Sequence, residues 1–136
     1  MKYQTVLVVV AALAGLAPSP DLAVHSVTGT NAASRSSSIT ISDVTTNRAA
    51  LIKALPSTSS IYLTNALNIT GLAALTTHNV GTINPNRSES WSGSITIPAN
   101  QTTGASYVIV VCDKPPAVTE SDENNNTNYY AITINP

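Results

Sequence analysis

The chain predicts an all-β fold, a seven-stranded sandwich of the immunoglobulin or fibronectin type III kind with an apolar N-terminal extension. Three observations carry that expectation. Short runs of alternating apolar and polar residues recur along the chain at intervals of roughly 10 to 20 residues, the rhythm of a two-sheet sandwich. No amphipathic helical period follows Ala17. Ser, Thr and Asn are abundant throughout, and these types suit strands and turns and serve helix interiors poorly.

The 136 residues suffice for one domain with a real core plus an extension. Three stretches are read: an apolar segment over 1–17, a stiff linker over 18–20 and a sandwich over 21–136. Only 10% of residues are charged and the net charge is −1, so solubility must come from uncharged hydroxyls and amides. The six Lys and Arg are scattered, and a nucleic-acid partner, which needs a basic stripe, is excluded. The single cysteine, Cys112, rules out an internal disulfide and follows a Val/Ile run, where it reads as a small buried hydrophobe.

At the start, Lys2 precedes the run Val6-Leu7-Val8-Val9-Val10-Ala11-Ala12-Leu13. A basic residue, about a dozen apolar ones and Ala12-Leu13-Ala14 make a secretory leader pattern, cleavable after Ala14. The run falls short of the roughly 20 residues of a spanning helix. Retained on a secreted chain, it needs a hydrophobic partner. One candidate is a strand donated to a neighbouring copy by Val6, Leu7, Val8, Val9, Val10 and Leu13. Another is a helix packed with its copies in a filament core. The β-branched opening and the nearby Pro18-Ser19-Pro20 favour the strand, and either arrangement makes a homopolymer.

The sandwich strands follow in order. Residues 21–27 place Leu22, Val24 and Val27 inward and His25 outward. Residues 38–47 alternate clearly and turn at Asn47. Residues 60–64 form a third strand, followed by a loop over 65–71. Residues 72–75 and 78–83 are shorter candidates, closed by the turn Asn84-Pro85-Asn86. Residues 91–99 form a strong strand headed by Trp91 and ended by Pro98. Residues 105–112 and 129–134 complete the set. The chain lacks Phe, so Trp91, the tyrosines and many Ile, Leu and Val must fill the core.

Chemistry has little to stand on. His25 and His78 lie far apart with no ligand spacing around them, and both are expected at the surface. No nucleophile elbow, phosphate loop or zinc motif occurs, so no catalytic residue is assigned. Trp91, a conceivable sugar platform, is expected to pack against the core or an edge.

The acidic stretch between the last two strands is the exception. Asp113, Glu120, Asp122 and Glu123 are four of the seven acids, set beside Asn124, Asn125 and Asn126. A calcium ion wants six to eight such oxygens, which makes Asp113, Glu120, Asp122, Glu123 and Asn125 candidate ligands. The same residue types also cap backbone N–H groups in a loop without any metal. Four sequons, at Asn68, Asn86, Asn100 and Asn125, fall in turns or loop flanks and are candidate glycan sites.

The hairpin residues Val111, Asp113, Val118, Glu120, Ser121, Glu123, Asn125 and Asn126 resemble the V-x-D and V-x-E-S-x-E-x-N-N pattern of the CARDB family, the cell-adhesion-related domains of bacteria and archaea. Ile39-Thr40-Ile41-Ser42-Asp43 with Asn47, Ile61-Tyr62-Leu63-Thr64 and Ser94-Ile95-Thr96-Ile97-Pro98-Ala99 are similar to further family segments. The resemblance spans about 20–136. It implies an immunoglobulin-like sandwich and says little about activity. The expected function is a structural subunit of an extracellular filament, pilus or surface assembly. The alternative is a secreted adhesion module that contacts surface glycans.

Overall fold

The computed structural model describes residues 17–136, in which eight strands form two sheets and no helix occurs. They are β1 (Leu22–Gly29), β2 (Ala32–Ser34), β3 (Ser38–Asn47), β4 (Ser57–Thr64), β5 (Thr76–Val80), β6 (Arg87–Thr96), β7 (Gly104–Val111) and β8 (Thr127–Asn135). One sheet has the order β1-β3-β6 and the other β2-β8-β7-β4-β5. All pairings are antiparallel except β2 with β8. The segment 6–13, expected to dock into a neighbour, lies outside the described residues.

Alternation builds the interior as expected. Along β3, Ile39, Ile41, Asp43, Thr45 and Asn47 are buried while the residues between them are exposed or half-buried. β1 breaks the period: its register on β3 shifts between Val24 and Ser26, a bulge that absorbs His25. The bulge lets Val24 and Val27, three positions apart, both face inward and leaves His25 exposed.

The core joins Leu22, Ile39, Ile41, Ile61, Ile97, Val108, Val110 and Ile134, each at most 1% exposed. Full burial of such a side chain is worth about 1.5–3 kcal/mol relative to exposure. Aliphatic residues thus do most of the filling that Phe would otherwise do. Trp91 and Tyr130 pack only at the margin, and Tyr62 and Tyr107 belong to a separate cluster with Ile109 and Val111. The connection after β4 contributes Ile69 and Ala74 to that second cluster.

Several expectations need correction. The strands number eight, not seven. Of the eight runs offered as candidates, 72–75 forms no strand and the one at 78–83 lies at Thr76–Val80, while β2 was not foreseen. Leu75 is drawn instead onto the Ile61 carbonyl by its N–H at 2.7 Å. β6 begins at Arg87, so Trp91 lies mid-strand. His78, expected at the surface, is 8% exposed. The 18–20 linker is fastened at its last residue, where the Pro20 carbonyl accepts the Ser121 N–H at 2.9 Å.

Candidate functional site

The acidic hairpin sits at the pole of the sandwich where the chain enters β1. Asp113 ends the β7 run with φ of 48°, a left-handed conformation that Asp tolerates. Its two carboxylate oxygens accept the N–H groups of Ala117 at 2.9 Å and Val118 at 3.0 Å, which closes the loop through Pro115 and Pro116. The Lys114–Pro115 peptide is cis. Lys114 N–H also donates to Thr58 O at 2.8 Å, and Ser60 Oγ donates to Lys114 O at 2.8 Å, tying the corner to β4.

Glu120 turns inward. One carboxylate oxygen accepts the Leu22 N–H at the head of β1, and the other accepts Asn126 Nδ2 at 2.7 Å. Burial pushes its pKa up to about 7, partly opposed by these two hydrogen bonds and reinforced by the charges of Glu123 and Asp113. Glu123 accepts the Glu120 N–H at 3.1 Å, and Asp122 accepts the Asn124 N–H at 2.9 Å. Asn125 donates to Asp21 Oδ1 at 2.7 Å. Cys112, next to this group, is fully buried, and burial first, then Glu120 and Asp113, push its thiol up to about 12.

The five candidate calcium ligands therefore share one loop without converging on one point. Each acid among them gives an oxygen to a backbone N–H, and among the described residues no three His, Cys, Asp or Glu side chains gather as a metal group. In the described structure the carboxylates hold the hairpin and the head of β1.

Asn47 completes this pole. It is fully buried, accepts the N–H groups of Asp21 and Ala49, and donates to the carbonyls of Ile52 and Ile83. Around these anchors lie three open clefts of about 290, 250 and 470 Å³. Leu51 and Leu55 line the first two and are 81% and 58% exposed. Of the sequons, Asn68, Asn86 and Asn100 are exposed, whereas Asn125 is half-buried with its amide nitrogen engaged.

A buried cluster was missed. His78 Nε2 meets Asp43 Oδ2 at 2.9 Å between the two sheets, and the imidazole stacks on Trp91 with centroids 4.3 Å apart and planes 2° from parallel. A Cβ on Gly93 would lie 2.3 Å from the Trp91 ring, so the indole lies back over that glycine. With His78 against one face and Gly93 beneath the ring, Trp91 is no open platform for a sugar. One signal pointed here: Asp43 shares the inward phase of Ile39 and Ile41, and a buried carboxylate requires a partner.

A family model described as CARDB matches residues 19–129. The chain belongs to the CARDB family. No curated protein matches it. Among solved structures, this CARDB chain is similar to the CARDB domain of a Pyrococcus furiosus protein crystallised with di-metal ions. The TM-score is 0.65 at 16% identity, over 85% of this chain and 89% of that one. A domain of a protein described as a cell-surface protein of Methanosarcina acetivorans aligns at 0.57 and 19% identity, over 85% and 91%. A β-glucosidase of Listeria innocua aligns at 0.55 and 10% identity, over 85% of this chain but 16% of the enzyme. At these identities the likeness is one of fold.

Proposed function

We propose that this CARDB domain is a noncatalytic structural subunit of an extracellular surface assembly, held to neighbouring copies through the apolar residues Val6, Leu7, Val8, Val9, Val10 and Leu13. The observation that carries this reading is the fastening of Pro20–Leu22 onto the acidic hairpin and Asn47. Asp21 alone uses its N–H toward Asn47, its carbonyl toward Arg48 N–H at 2.7 Å and its carboxylate toward Asn125. Residues 20–22 are thereby held firmly to the domain, as the root of a docking arm would need to be. The family likeness and the cell-surface neighbour support an extracellular location.

Deleting residues 1–17 tests this. The expected result is a folded monomer that no longer assembles, and a truncated chain that still assembled would overturn the reading. The second reading is a secreted adhesion module cleaved after Ala14, its clefts beside Leu51 and Leu55 contacting surface glycans. N-terminal sequencing of the native protein separates the two: a start at Gly15 supports the adhesion module, and a start at Met1 the docking arm.

A further inference from the structure

We propose that the outer edge of β6 is a docking edge for a second copy of this chain, which pairs β6 with β6 antiparallel and joins two three-stranded sheets into one of six strands. Among the described residues β6 pairs only with β3 and leaves its other side open. An unpaired strand edge is a template for another strand unless something blocks it.

The other three edges are each blunted. β1 is broken by its bulge, β2 has three residues and β5 has five. β6 has ten, and its register on β3 runs without a shift from Arg87 to Thr96. Its charges lie at one end. Glu89 turns both carboxylate oxygens back onto the Gly81 N–H at 3.1 Å. From Ser90 to Thr96 there is no charge, no proline and no bulge.

The edge is also complementary to itself. Its outward row over that stretch, Ser90, Ser92, Ser94 and Thr96, is exposed and entirely of hydroxyls, which both donate and accept. The same row already pairs hydroxyl to hydroxyl on its inner side, with Ser92 on Ser42 at 2.9 Å and Ser88 on Thr46 at 2.7 Å. A two-fold register centred on Gly93 sets Ser92 against Ser94 and Ser90 against Thr96 of the second copy. Trp91 then faces Ile95, an aromatic on a β-branched residue, which is a favourable cross-strand pair. Arg87 and Glu89 fall beyond the paired stretch, so no like charges meet.

The test uses full-length chains. Ser92→Cys and Ser94→Cys variants, mixed and mildly oxidised, should give a mixed disulfide dimer in clear excess over Ser92→Cys mixed with an Asn79→Cys control on β5. Cys112 is buried and adds no background. In parallel, Ser90→Lys with Thr96→Lys opposes lysines at both ends and should weaken the pairing about tenfold, whereas Ser90→Lys with Thr96→Glu should restore it. A mixed disulfide no more abundant than the control would overturn the proposal. So would equal association of the two charge variants, which is the outcome if copies meet only through residues 6–13.

Discussion

Glu120 accepts the backbone N–H of Leu22 across 98 positions of sequence, so the loop before the last strand holds the first residue of the first strand. The contact is buried at both ends and joins the point of chain entry to the hairpin.

Its pH dependence has a definite sign. A carboxyl raised to about 7 in the folded protein, from an ordinary 4.5, binds more protons folded than unfolded between those values. Its contribution to stability is therefore full below about 4.5 and is lost as pH rises through 7. Once Glu120 is protonated and the Asn126 amide turned over, Glu120 can donate to Asn126 Oδ1, which has no partner while Nδ2 donates to Glu120. Melting temperatures of wild type should fall between pH 5 and pH 8 relative to Glu120→Gln, in which that slope is absent. Parallel pH profiles for the two proteins would contradict this.

Asp113 should matter to the fold and not to calcium. Asp113→Ala strips the Ala117 and Val118 N–H groups of their acceptor, at a cost of about 1–3 kcal/mol for each that stays buried. Urea titrations would measure it. Millimolar calcium should leave the melting temperature of wild type unchanged, and a rise of several degrees would restore the cation reading.

The inter-sheet cluster should be sensitive from both sides. His78→Ala leaves the Asp43 carboxylate buried without its partner, a change that costs about 3–5 kcal/mol. Gly93→Ala drives a methyl into the Trp91 ring and should cost about 1–3 kcal/mol by overpacking. Trp91 is the only tryptophan, so its emission reports the displacement as a shift to longer wavelength.

Cys112 should be inert in the folded state. A buried thiol with its pKa near 12 offers almost no thiolate at neutral pH. Alkylation by iodoacetamide should proceed only in denaturant, and ready modification of native protein would show that the hairpin opens.

Glycan occupancy should follow exposure. Where the source cell modifies sequons, Asn68, Asn86 and Asn100 are expected to carry sugar and Asn125 is not, because its amide nitrogen is held by Asp21. Peptide mass mapping of native protein decides the matter.

The long strands were readable from strict alternation in β3 and from an unbroken apolar run at the end of β7. β3, β7 and β8 lie close to the ranges expected of them. β2 was not readable: it is three residues long, Ala-Ala-Ser, and becomes a strand only by pairing with residues 133–135 about a hundred positions later. His78 was misread because nothing near it in sequence explains burial, and its partner Asp43 lies 35 positions earlier. The hairpin acids posed a different difficulty. Cation ligands and backbone acceptors are the same side chains, and only the direction of each carboxylate separates the two roles.

β1 enters at the pole that holds Asn47 and the acidic hairpin, and β8 leaves at the opposite pole, where Thr133 N–H donates to Asn31 O and Arg35 N–H to Asn135 O. The two ends of the sandwich thus lie in line with its strands rather than side by side. Tension along the chain would load the β2–β8 ladder in shear, so that its hydrogen bonds resist together instead of opening one by one.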